Sequence, residues 1–219
     1  MDTKRFSRFS PILLLAIAFT GFAGCSGCDG GFNECLGPSQ HSFEQKVVFE
    51  PEKLQYHIGD TIWISSSFSC QGLLNTATGL TEDYCGVKSI GSAISIRSLY
   101  HYPLDSIDFA HALDKFDYIS IEGNVKSLNR YASDINFQIE DTEYSFKIGI
   151  IPKVVGKYAV FISDSGPTSL TGSERCDKGG FTLINGNNDN HFELIQEYYA
   201  GEVVSDFDRI HNYCFIVVP

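Results

Sequence analysis

The 219-residue chain carries 16 Lys+Arg against 27 Asp+Glu, a net charge of −11, with 43% hydrophobic and 20% charged residues. That balance belongs to a folded globular chain rather than a disordered one. The acidic surplus argues against a nucleic-acid partner, since a phosphate backbone must be met by clustered Lys and Arg; with one segment apolar enough to enter a bilayer, a multi-span membrane protein is excluded too.

Lys4, Arg5 and Arg8 form a basic start, followed by Pro11 and an apolar run from Ile12 that continues to Phe22. The run is too short for a span of ~20 residues and has the length of a signal-peptide core. It ends in Phe22-Ala23-Gly24-Cys25, which resembles a bacterial lipobox. The resemblance implies that residues 1–24 are a signal peptide and that the Cys25 thiol accepts a diacyl lipid after cleavage. Two or three acyl chains anchor stably where one does not. Phe22 stands where the motif usually has Leu. Residues 1–24 hold Lys4, Arg5, Arg8 and Asp2, so the rest carries 13 basic and 26 acidic residues, a net charge of −13. Anionic membrane surfaces repel such a body, which leaves the lipid as its membrane contact. Ser26 after the lipidated Cys favours the outer membrane, with the face of that membrane left open.

Six cysteines remain: Cys28, Cys35, Cys70, Cys85, Cys176 and Cys214. An even remainder in an exported chain predicts disulfides, although six Cys allow ~15 connectivities. Cys28 and Cys35 flank a Gly-containing loop, and Cys70 and Cys85 bracket the polar stretch Gly72 to Thr81. Cys176 and Cys214 pair by elimination. A zinc ribbon would use Cys25-x-x-Cys28 as one half, but a second half is missing.

Residues 25–42 read as a lipidated, Gly-rich tether, and 43–219 as a single domain with a helix-containing C-terminal extension. Short alternating apolar runs fill the domain. Thr61 to Phe68 places Ile62, Ile64 and Phe68 on one face, and Ala93 to Leu99 alternates again. A hairpin is predicted with Ile135, Phe137 and Ile139 on one arm, Tyr144 to Ile150 on the other, and Asp141-Thr142 at the turn. Phe181–Asn185, Tyr158–Ile162 and Tyr213–Val218 complete the strands. Asp105 to Phe116 admits a short helix. Asn190-His191-Phe192-Glu193 has capping-box spacing and predicts a helix over 191–199. The pattern predicts an all-β chain, an antiparallel β-sandwich with one or two short helices, stabilised by disulfides.

Tyr56-His57-Ile58-Gly59-Asp60-Thr61-Ile62-Trp63-Ile64 resembles the Y-x-x-G-D-T-I-x-I opening of β-sandwich lipoproteins from Bacteroidota-type bacteria. Val155-Gly156-Lys157-Tyr158-Ala159-Val160 resembles the tyrosine corner of immunoglobulin-like domains, where the Tyr hydroxyl bonds back to upstream backbone. Together they imply an Ig-like sandwich and no particular activity.

Catalytic signatures are sparse. The sequence has neither G-x-S-x-G nor H-E-x-x-H, and Lys178-Gly179-Gly180 lacks a phosphate-loop frame. Glu82-Asp83, Glu140-Asp141 and Asp206-x-Asp208 are neighbouring acids, but glycoside hydrolysis needs a set separation in space. Asn185, Asn187 and Asp189 follow the alternate-residue spacing of a calcium loop, against an ordinary turn before a helix. Tyr100, Tyr102, Tyr198 and Tyr199 are candidates for a sugar-stacking surface, Tyr198 and Tyr199 foremost. The reading is a lipid-anchored, non-enzymatic binding module without a cofactor, its partner a protein or a glycan. A carbohydrate-binding accessory lipoprotein and an unrecognised hydrolase are the alternatives.

Overall fold

The computed structural model describes residues 41–99, 111–127, 132–165, 168–169, 178–198 and 205–219. In chain order, β1 (His41–Glu50), β2 (Gln55–His57) and β3 (Ile62–Ser69) lead into the short pair β4 (Leu73–Leu74) and β5 (Thr81–Glu82). Then come β6 (Gly91–Ser98), a 3-10 turn at Leu113–Lys115, β7 (Phe116–Glu122), β8 (Asn124–Ser127), β9 (Ser133–Asn136) and β10 (Gln138–Glu140). β11 (Glu143–Pro152), β12 (Gly156–Ile162), β13 (Thr168–Ser169) and β14 (Lys178–Asn185) precede the helices α1 (Glu193–Tyr198) and α2 (Asp206–His211), and β15 (Asn212–Val218) ends the chain.

Apart from the β4–β5 pair, the described strands form two facing sheets, an all-β sandwich. One runs β10-β11-β3-β1-β14-β13, with β7 also paired to β11; the other runs β2-β15-β12-β6-β9-β8. Alternation decides which side chains lie between them. Phe43, Val47 and Phe49 of β1, Ile62 and Ile64 of β3, Phe146 and Ile148 of β11, and Phe181 and Leu183 of β14 face inward. Ile94 and Ile96 of β6, Tyr158 and Val160 of β12, and Tyr213 and Phe215 of β15 meet them from the other sheet. Phe49 and Tyr213 stack across the core with centroids 4.4 Å apart, a contact worth about 1 kcal/mol beyond its area.

Two pairings depart from the antiparallel expectation. β1 lies parallel to β14 from His41↔Gly179 to Val47↔Asn185, and β2 lies parallel to β15. β1 then changes partner, joining β3 antiparallel through Val48↔Ser65 to Glu50↔Trp63. The strand also starts at His41, two residues before the predicted domain boundary.

The predicted hairpin forms only in part. β10 pairs β11 from Gln138↔Ser145 to Glu140↔Glu143, with Asp141 at φ 47° in the two-residue turn. Ile135 instead belongs to β9, which pairs β6 and β8 in the opposite sheet. At the crossing the Phe137 N–H donates to the Ile90 carbonyl at 2.9 Å. Ile135, Phe137 and Ile139 still all face the core. Between β7 and β8, Gly123 (φ +67°) passes so close to β9 that a Cβ would lie 2.3 Å from the Asn136 carbonyl oxygen. The helix considered over 105–116 is reduced, in its described part, to the 3-10 turn and the start of β7; residues 105–110 lie outside the described residues.

The tyrosine corner is present: the Tyr158 hydroxyl donates to the Val154 carbonyl at 2.9 Å, while its ring packs edge-on against Phe116. Tyr158→Phe keeps the ring and removes the bond. Urea unfolding should show a loss of about 1 kcal/mol, whereas an unchanged midpoint would mean that the corner contributes nothing.

Candidate functional site

Residues 70–85 form a hairpin fixed at both its base and its tip. Cys70 and Cys85 are joined by a disulfide, as the sequence predicts. Beside the bridge, the Tyr84 N–H donates to the Cys70 carbonyl at 2.7 Å and the Gly72 N–H to Asp83 Oδ1 at 2.9 Å. Within the loop, the buried Asn75 accepts the Ala77 N–H on Oδ1 (2.9 Å), gives Nδ2 to Glu82 Oε1 (2.9 Å) and binds Leu80 and Gly79 through its backbone. Glu82 Oε1 also meets His41 Nδ1 at 2.7 Å, and the Thr76 N–H donates to the Ser42 carbonyl at 2.7 Å, so β1 holds the outer part of the loop.

Underneath, Tyr84 anchors the hairpin in the core against Phe43, with ring centroids 5.1 Å apart. It crosses β14 where there is no side chain, since a Cβ on Gly179 would lie 2.5 Å from Tyr84 Cζ. Leu73 points inward, while Leu74 is 58% and Leu80 67% exposed. Two large aliphatic side chains thus stand in solvent on backbone that is already ordered. Contact through such a surface requires little further ordering, which is a main cost of association. The sequence marks this stretch only by its flanking cysteines, and no periodicity distinguishes the outward Leu74 and Leu80.

The Asn-rich loop after β14 is a second cluster, in which the calcium-spaced side chains hold backbone. Asn187 Oδ1 accepts the Phe49 N–H at 2.8 Å, and its Nδ2 donates to the Phe49 carbonyl at 2.7 Å. The amide therefore continues the β1 ladder beyond the end of β14. Asn185 Oδ1 accepts the Asn187 N–H at 2.9 Å, and its Nδ2 donates to the Asn212 carbonyl. The side-chain oxygens of Asn185 and Asn187 are thus held by backbone donors. Glu52 clasps the loop by accepting the Asp189 N–H (2.9 Å) and the Asn188 N–H (3.4 Å), a role that nothing in the sequence signals.

The helix predicted over 191–199 is present as α1 from Glu193 to Tyr198, without the predicted capping box. Asn190 Nδ2 donates to the Arg209 carbonyl at 2.6 Å, and α1 begins only at Glu193. Phe192 and Ile195 are buried on its inner side as predicted. The Glu193 carboxylate instead approaches His191, and the ligand atoms of Asp189, His191 and Glu193 lie within 4.8 Å of one another.

Cys214 is a buried free thiol in β15, so the pairing of Cys176 with Cys214 is not formed. Outward on its sheet, Cys214 packs under α1 with Ala159, Phe192, Leu194 and Ile195. Burial pushes its pKa far up, and the nearby Glu193 charge adds to that. Such a thiol is a packing residue rather than a nucleophile. Cys25, Cys28, Cys35 and Cys176 lie outside the described residues, as do Tyr100, Tyr102 and Tyr199, while Tyr198 closes α1. Of the neighbouring acids, Glu82 and Asp83 serve the hairpin and Glu140-Asp141 the β10–β11 turn.

No family model and no curated protein matches the sequence. Among solved structures, the chain is similar to the human F-spondin reeler domain, at 10% identity, covering 68% of this chain and 87% of that one, with a TM-score of 0.34. It is also similar to the seventh ScaB type I cohesin of Pseudobacteroides cellulosolvens (8% identity, 67% and 95% coverage, TM-score 0.33). A type II cohesin domain from the cellulosome of Acetivibrio cellulolyticus gives 8% identity, 68% and 93% coverage and a TM-score of 0.31. At these values the likenesses transfer neither partner nor activity to this chain.

Asn187→Ala removes both bonds to Phe49 and should lower stability by about 2 kcal/mol. Millimolar calcium should leave the melting temperature of the unaltered chain where it is. A calcium-dependent rise that Asn187→Ala abolishes would restore the calcium loop.

Proposed function

We propose that this chain is a lipid-anchored protein of the outer membrane, of the kind found in Bacteroidota-type bacteria, and that it binds a protein partner through the 70–85 hairpin rather than catalysing a reaction. The hairpin carries the reading: Leu74 and Leu80 are exposed at 58% and 67% on a loop closed by a disulfide and by its own Asn75. Exposed aliphatic side chains on rigid backbone have the character of interface anchors. The complementary surface is an apolar pocket, with basic groups at its rim to suit a body of net charge −13. The hairpin packs beside His41, 16 residues after Cys25, so an extended tether of about 55 Å bounds the distance of the partner from the bilayer. The glycan and hydrolase readings have no observation of their own among the described residues.

A photo-crosslinking amino acid in place of Leu74 or Leu80 should give one discrete adduct in intact cells. The same probe at the exposed Lys126 of β8 should give none. Identical patterns at all three positions, or no adduct from the hairpin, would contradict the reading. Labelled palmitate should enter the chain and be lost in Cys25→Ala; equal incorporation in both would remove the anchor.

A further inference from the structure

We propose that Asp189, His191 and Glu193 form a binding site for a divalent ion of the zinc class, independent of the hairpin. His191 carries the argument. The residue is nine-tenths buried, and its backbone is held at φ +52° with its N–H donating to Asp189 Oδ1 at 2.8 Å. Its ring stands beside Tyr213, with centroids 5.9 Å apart. Yet the imidazole is poorly used by the protein itself. Nε2 is buried with no hydrogen-bond partner among the described residues. Nδ1 faces Asp189 Oδ2 at 3.3 Å and Glu193 Oε1 at 3.8 Å. A charge-assisted bond to a carboxylate would close to about 2.8 Å.

The spacing suits an ion between these groups better than a proton. Donors held ~2.0–2.1 Å from one tetrahedral ion stand roughly 3.3–3.4 Å apart. The Nδ1 to Asp189 separation of 3.3 Å already has that value, and the Glu193 oxygen at 3.8 Å is slightly outside it. The remaining adjustment falls on the carboxylates, whose side chains are exposed at 62% and 57% and swing at little cost, while the buried imidazole is already aimed. Glu52 fixes the backbone of the loop by accepting the Asp189 N–H. Two carboxylates with one imidazole nitrogen select an ion such as Zn²⁺ over Ca²⁺, which takes oxygen ligands. Three protein donors on an exposed rim leave a fourth position for water or for a donor from a ligand.

The test is titration of the chelator-stripped full chain in detergent with Zn²⁺ against a chromophoric chelator, with Co²⁺ absorption as a report on geometry. The expected result is one equivalent per chain with tetrahedral Co²⁺ bands, and no competition from millimolar Ca²⁺. Glu193→Gln, at an exposed position, should weaken binding about tenfold or more, and His191→Ala should abolish it with the far-ultraviolet circular dichroism unchanged. His57→Ala, in the exposed His57–Asp60 pair, should leave binding as it is. Absence of stoichiometric binding, or affinity unmoved by Glu193→Gln and His191→Ala, would overturn the proposal. So would loss of binding in His57→Ala alone.

Discussion

β1 is the strand on which both clusters depend. It lies in the middle of its sheet, and its two ends have different partners: parallel β14 beside the first seven residues, antiparallel β3 beside the last three. A strand flanked on both sides must have its backbone groups paired, because a buried N–H or carbonyl left alone costs ~1–3 kcal/mol. At the N-terminal end, the Ser42 carbonyl is satisfied by Thr76 of the hairpin. At the C-terminal end, β14 stops at Asn185 and the Asn187 side chain takes over the pairing of Phe49. Hairpin and Asn-rich loop are thus shaped by one requirement, that β1 be paired from end to end.

The consequence is two ordered surface features on one strut. Toward the hairpin, backbone order lets Leu74 and Leu80 stay exposed without collapsing onto the body. Toward the loop, Asn187 and Glu52 fix the chain up to Asp189, whose Oδ1 in turn accepts the His191 N–H. An apolar contact and a metal-binding constellation need the same thing from the fold, which is side chains placed in advance.

Periodicity in the sequence reported which face of each strand is buried, but not which strand lies beside it. Ile135, Phe137 and Ile139 illustrate the difference. Their alternation correctly predicted three inward side chains, yet the chain changes sheet between the first and the last. A strand crossing from one layer of a sandwich to the other keeps its inner face, so period two is blind to the step. For the same reason nothing local marked the parallel pairing of β1 with β14. Local chemistry was legible where its partner is near in sequence: the Tyr158 corner reaches back four residues, and Cys70 and Cys85 close a loop of fifteen. Cys214 was misassigned because counting cysteines does not see α1 covering the thiol. The role of Asn187 was not legible because its partner, Phe49, lies 138 positions away. The exposed leucines of the hairpin had no pattern at all to announce them.

The most direct measurement is residue-resolved amide hydrogen exchange along β1 and its two neighbours. If β1 is paired from end to end, the Phe49 amide bound by Asn187 and the Thr76 amide bound by Ser42 will exchange as slowly as the amides of β3 and β11. Exchange at either position as fast as in exposed turns would mean that the strut is open at that end, and the account of the cluster it carries would fall with it.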